Sequence, residues 1–120
     1  MKILTVDDSV TLRKIIAMSL TELGHTVVEA ENGKVALGLL DSEMPGCIVL
    51  DINMPEMNGL EFLAEKFKNP KWKAIPVVVL TTQDETELRR QAVVLGANGF
   101  LAKPFKKEEL LATLAQVAGL

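Results

Sequence analysis

Residues 77–82 read V-V-V-L-T-T. Four apolar side chains in a row, with no polar residue between them, indicate a strand buried on both faces, because a half-exposed strand would alternate. The pattern recurs upstream in C-I-V-L, residues 47–50, which ends at Asp51, and in the short apolar run Ile3 to Val6. Thr26 to Glu29 and Asn98 to Ala102 are two further short strands. Helical spacing fills the intervals. Between Ser9 and Leu23 the apolar residues are Leu12, Ile15, Ile16, Leu20 and Leu23, and Gly24 is a stop. Asn32-Gly33 reads as a turn, followed by a helix from Lys34 to Leu40 that Gly38 weakens. Pro55 and Asn58-Gly59 mark a loop, Leu60, Leu63, Ala64 and Phe67 a helix face, and Asn69-Pro70 its end. Thr82 or Asp84 caps a fourth helix with the face Leu88, Ala92 and Leu95, stopped by Gly96. Glu108 to Ala118 closes the chain as an amphipathic helix. Strand and helix thus alternate about five times, which predicts an α/β domain with a parallel sheet and helices on both faces.

The chain has 120 residues, a length that fits one domain, and it is 48% apolar, enough for a full core. Its net charge of -3 and the lack of a basic stripe argue against direct nucleic-acid binding. The single cysteine, Cys47, stands among Ile48, Val49 and Leu50 and reads as a buried core residue. No apolar run approaches the ~20 residues of a membrane helix, and Met1-Lys2 leads directly into a strand. The expectation is a cytoplasmic protein with no membrane contact.

Polar residues gather where the apolar strands end. The first strand ends in Asp7-Asp8, the third in Asp51, the fourth in Thr81-Thr82 and the fifth near Lys103. Sites in open parallel sheets form at the carboxyl ends of the strands. Any one of these residues is commonly a cap, a turn residue or a solvated charge. Two adjacent carboxylates, however, repel each other, and capping needs only one. Three carboxylates without a nearby histidine or thiolate make a hard, oxygen-rich site suited to Mg²⁺ or Mn²⁺, and a divalent ion offsets their repulsion. Lys103 by charge and Thr81 by hydrogen bond are candidates to hold phosphoryl oxygens, and Asp51 is a candidate nucleophile.

These residues fall in motifs: V-D-D-S at Val6–Ser9, V-L-D-I-N-M-P at Val49–Pro55, M-N-G at Met57–Gly59, L-T-T at Leu80–Thr82 and G-F-L-A-K-P-F at Gly99–Phe105. In them the chain resembles a two-component response regulator receiver domain over essentially all of residues 1–120, and D-S-x-T-x-R at Asp8–Arg13 looks like the chemotaxis subgroup. The resemblance implies a flavodoxin-like, doubly wound (βα)5 fold with strand order 2-1-3-4-5. It implies a phosphorylation-activated switch that is not an enzyme beyond its own phosphorylation and dephosphorylation. Asp51 would accept a phosphoryl group from a sensor histidine kinase. Mg²⁺, or Mn²⁺, would be held by Asp8 directly, by Asp7 mainly through water, by Asp51 and by the backbone carbonyl of Asn53. Lys103 would contact the phosphoryl group, Thr81 would move to bind it, and Phe100 would be the switching aromatic. Lys103-Pro104 would be a cis peptide. A downstream protein would dock on the fourth helix, fifth strand and fifth helix, near Lys106-Lys107, and the protein would be a monomer.

Some positions depart from the subgroup. Phe100 stands where Tyr is common, Thr82 where a smaller Ala is frequent, and the fourth helix starts with the acidic stretch Gln83–Glu87 where the flagellar-switch binder is basic. Asn53 and Gln83 flank the expected phosphoryl site and are expected to tune hydrolysis. The only histidine, His25, reads as an exposed turn residue. No Gly-rich nucleotide loop is present, so phosphate must come from a partner or a small donor. Three other readings compete. An aspartyl-phosphate hydrolase of the haloacid dehalogenase type would carry its nucleophile after the first strand and a second acid where Asn53 stands. A flavodoxin-like FMN binder would not place Asp7-Asp8 in its phosphate loop. The chain is also readable as the receiver module of a longer regulator.

Overall fold

The computed structural model describes residues 1–54, 57–82 and 85–119. The elements run β1 (Lys2–Val6), α1 (Val10–Thr21), β2 (Thr26–Ala30), α2 (Gly33–Glu43), β3 (Cys47–Asp51), α3 (Gly59–Lys68), β4 (Val77–Thr81), α4 (Thr86–Val94), β5 (Gly99–Ala102) and α5 (Lys107–Ala118). All four strand pairings are parallel, in the order β2-β1-β3-β4-β5. This is the flavodoxin-like, doubly wound arrangement, with its switch point between β1 and β3.

The two-residue strand period divides the core into two layers. Leu4, Val6, Ile48, Leu50, Val77 and Val79 face one side and pack with Ala36 and Leu40 of α2, Phe62 and Leu63 of α3, and Ala92 of α4. Ile3, Cys47, Val49, Val78, Leu80 and Leu101 face the other and pack with Ile16 and Leu20 of α1 and Leu110 and Leu114 of α5. β3 and β4 are buried along their whole length, which is why their sequences do not alternate. Burial pushes the Cys47 thiol up to about 11, so it acts as a small apolar side chain. Among the described residues no helix is long and apolar enough to cross a membrane.

Local chemistry sets the element ends. Ser9 caps α1 by accepting from the Leu12 N–H. Gly24 and Gly96 take positive φ values of 87° and 94° just after α1 and α4, as a left-handed stop requires. The expected turn at Asn32-Gly33 and the end of the expected loop at Asn58-Gly59 are helix starts. Asn32 caps α2 through the Val35 N–H, and Asn58 caps α3 in a reciprocal box with Glu61. An Asn side chain accepts from a nearby N–H in either setting, so Asn-Gly alone does not separate turn from cap. α2 also runs through Gly38 to Glu43.

Several expected helix faces are rotated. Ile15 and Leu23 are 52% and 55% exposed, so Ile16 and Leu20 carry the buried side of α1. In α3 the buried residues are Gly59, Phe62, Leu63 and Lys66, whereas Phe67 is exposed. α4 begins after Glu85 with no side-chain cap bond, so Thr82 does not cap it, and Asp84 lies outside the described residues. Asn98 precedes β5 and accepts the Val77 N–H at 2.8 Å through its side chain. His25 is half-buried between α1 and β2, where its Nδ1 lies 3.2 Å from the amino terminus.

Candidate functional site

Strand register brings the polar residues together. Val6 pairs with Leu50, so the next residues, Asp7 and Asp51, leave neighbouring strands side by side. Asp51 pairs with Leu80, and Thr81 follows it. Thr81 pairs with Ala102, and Lys103 follows that. The Lys103 N–H then donates to the Thr81 carbonyl at 2.7 Å. The Lys103-Pro104 peptide bond is cis. Gly59 lets the start of α3 close against this edge: a Cβ there would meet Ile52 Cα at 2.6 Å and the Asp51 carbonyl oxygen at 2.8 Å.

Asp7 and Asp51 are buried and Asp8 is exposed. One carboxylate oxygen from each of the three lies within 4.8 Å of the others. Lys103 Nζ stands 3.2 Å from Asp51 Oδ1 and 3.5 Å from Asp7 Oδ2. Asp51 Oδ1 also accepts the Asn53 N–H at 3.3 Å, and Asp7 Oδ1 accepts the Ser9 N–H at 2.8 Å. Asp7 Oδ2 is buried and makes no hydrogen bond among the described residues, and the Lys103 contact is long enough to be a Coulombic pair.

Burial raises the Asp51 carboxyl to about 6 from 3.8, and the Asp7 charge pushes the same way, while Lys103 and the Asn53 N–H pull it back. Asp7 is also raised, by burial first, against the Ser9 N–H and Lys103. The edge thus holds more negative charge than one lysine neutralises. Three oxygen donors with one buried oxygen left unpaired fit a hard divalent cation. Asp7, Asp8 and Asp51 would hold it, and the Asn53 carbonyl is near in the chain.

Thr81 is buried at the end of β4. The Thr82 N–H and hydroxyl both donate to Glu85 Oε1, at 2.6 and 2.8 Å. Phe100 is half-buried and packs on the layer of α2, α3 and α4, with the Arg89 guanidinium 5.0 Å from its ring centroid. Asn53 is exposed beside Asp51, while Gln83, like Pro55, lies outside the described residues. Lys107 pairs with Glu22 at 2.6 Å and so reaches toward the end of α1, whereas the Lys106 N–H donates to Glu109 at the start of α5.

The sequence alone assigns no role to Arg13, whose Nη1 donates to the Asp7 carbonyl at 2.6 Å. The available signal was its place one turn after the Ser9 cap, on the helix that starts at the acidic pair. Arg89 was also missed, because nothing local links it to Phe100.

A family model described as response regulator receiver domain matches residues 3–115. A chemotaxis protein CheY homolog of Campylobacter jejuni is 40% identical over 121 residues, spanning 99% of this chain and 93% of the relative. Chemotaxis protein CheY1 of Helicobacter pylori is 38% identical, spanning 99% of this chain and 98% of the relative. Among solved structures, CheY4 of Vibrio cholerae superimposes with a TM-score of 0.91 at 36% identity, covering 97% of both chains.

Proposed function

The chain belongs to the response regulator receiver domain family, the phosphorylation-activated switches of two-component signalling, and from that premise we propose that Asp51 is its phosphoryl acceptor. Receiver domains of this type are signalling switches and not classical enzymes. The observation that carries the assignment is Asp51 itself: a buried carboxylate at the end of β3, 3.2 Å from an ammonium and beside two further acids.

In the proposed step an Asp51 oxygen forms a bond to phosphorus as the phosphorus–nitrogen bond of a sensor kinase's phosphohistidine breaks. The leaving imidazole nitrogen retains the bonding electron pair. The acceptor must be ionised, and at about 6 its pKa leaves it mostly so at neutral pH while keeping it basic. Lys103 holds Asp51 before transfer and a phosphoryl oxygen after it. When bound at Asp7, Asp8, Asp51 and the Asn53 carbonyl, Mg²⁺ supplies positive charge against the crowded carboxylate and phosphoryl oxygens. The Thr81 hydroxyl then turns to the phosphoryl group, and Phe100 moves into the space it leaves. That motion breaks the Arg89 contact and reshapes the face of α4, β5 and α5, where a downstream protein binds. Asn53 and Gln83 position water for dephosphorylation. Residues 1–120 act as one receiver unit, cytoplasmic and monomeric, in a chemotaxis-type pathway like that of the named relatives.

The test is intact-mass measurement with Mg²⁺ and acetyl phosphate. The wild type is expected to gain the mass of one phosphoryl group transiently, and Asp51→Asn none. Equal labelling of both, or sustained turnover of added phosphomonoesters as a hydrolase would give, refutes the assignment.

A further inference from the structure

The D-S-x-T-x-R stretch carries one side chain that the phosphoryl chemistry leaves without a role. Arg13 lies early in α1, and helical side chains lean toward the helix N-terminus. Its guanidinium therefore reaches back to the end of β1. Nη1 donates to the Asp7 carbonyl oxygen at 2.6 Å while Nε donates to Glu29 Oε1 at 3.2 Å. The side chain is only 13% exposed, and Glu29 is held in turn by Lys14 Nζ at 2.9 Å. Asp7 is thus fixed at three points: its N–H donates to the Ala30 carbonyl at 3.1 Å, its Oδ1 accepts from Ser9, and its carbonyl accepts from Arg13.

That carbonyl belongs to the planar peptide unit that joins Asp7 to Asp8. The tilt of the plane sets the direction in which the chain leaves for Asp8. The Asp8 carboxylate is exposed, and among the described residues it makes no hydrogen bond or ion pair. Its place in the 4.8 Å cluster therefore depends on its backbone.

We propose that Arg13 is a positioning residue for divalent-cation binding, orienting the Asp7–Asp8 peptide and so the spacing of the carboxylate cluster. This rests on the reading of that cluster as the cation site of a phosphoryl acceptor. Arginine suits the task because Nη1 and Nε are held at a fixed spacing on one planar guanidinium, so the Asp7 carbonyl and Glu29 are met in a set geometry that a single nitrogen on a flexible stem does not impose.

Mg²⁺ is titrated calorimetrically into the wild type, Arg13→Lys, Arg13→Gln and Glu29→Gln, with thermal melts and amide spectra of each. Arg13→Lys and Arg13→Gln are each expected to bind Mg²⁺ about tenfold more weakly, the low end for residues that orient metal ligands. Arg13→Lys keeps the charge, so its loss reports geometry. Glu29→Gln retains the carbonyl bond and is expected to lose less. The Asp8 amide resonance is expected to shift in Arg13→Lys while that of Thr81 stays. A purely structural role would lower the melting temperature and leave Mg²⁺ affinity of the folded protein unchanged. Wild-type affinity in Arg13→Lys overturns the proposal. If the wild type itself binds no Mg²⁺, the reading of the cluster falls, and the proposal with it.

Discussion

Asp7 and Asp51 at the carboxyl edge of the sheet and Lys66 on α3 are all buried, yet their surroundings have little in common. At the sheet edge two buried carboxylates share one ammonium, Lys103, with a third acid beside them. On α3 no carboxylate pairs with Lys66 among the described residues, and its Nζ donates to the Lys73 carbonyl at 3.1 Å. Burial alone brings that ammonium down to about 8. Lys66 ties α3 to the loop that follows it, a service one backbone carbonyl can complete. The carboxylate cluster is left incomplete, with an unpaired oxygen on Asp7. Crowded carboxylates that one ammonium does not neutralise mark a site built for something outside the fold.

The strongest way to break the comparison is to separate the acids of the cluster. Asp7 already spends one oxygen on Ser9 and faces Lys103 with the other, whereas Asp8 is exposed and, among the described residues, uncommitted. Asp8→Ala is expected to weaken Mg²⁺ binding about 100-fold and Asp7→Ala about tenfold. Equal losses by calorimetry would erase the distinction between the two.

Removing the central charge comes next. With its folded pKa near 6, above 3.8, Asp51 favours the fold most below about pH 4, and that stability is lost as pH rises through 6. Without Mg²⁺, Asp51→Asn should therefore stabilise the protein at pH 7.5 by about 2 kcal/mol, and by less at pH 4.5. Urea melts at the two pH values check this, and a destabilised variant would mean that the Lys103 pair outweighs the burial cost.

Lys66 should give the smallest effect, with the opposite pH sense. Its folded pKa lies below 10.5, so the burial penalty is fully present below pH 8 and fades as pH rises toward 10.5. Lys66→Met is expected to stabilise at pH 7 by about 1 kcal/mol, a gain that shrinks with rising pH. A gain that does not change with pH would show that packing, and not charge, sets the cost of Lys66.

Much of the site was legible because its residues mark the ends of apolar runs. Asp51 and Thr81 end their strands, Asp7-Asp8 and Lys103 follow theirs, and parallel strands point their carboxyl ends one way. Helix faces were less legible. Ile15 and Ile16 are both apolar, and only packing decides that Ile16 is inside. Phe62 and Lys66 share the buried side of α3, but a lysine does not announce a core position. Arg13 escaped notice because its partners are a backbone carbonyl and a residue on another strand.

By itself the sequence determined the alternation of strand and helix, the burial of β3 and β4 on both faces, and which residues could reach the carboxyl edge. Those are local facts, carried by hydrophobic period and strand ends. Strand order and register belong to the tertiary structure, since pairing joins residues far apart in the chain. Only that pairing sets Asp7 beside Asp51 and Lys103 between them, buries one oxygen of Asp7 without a partner, and lets Arg13 hold the peptide that leads to Asp8.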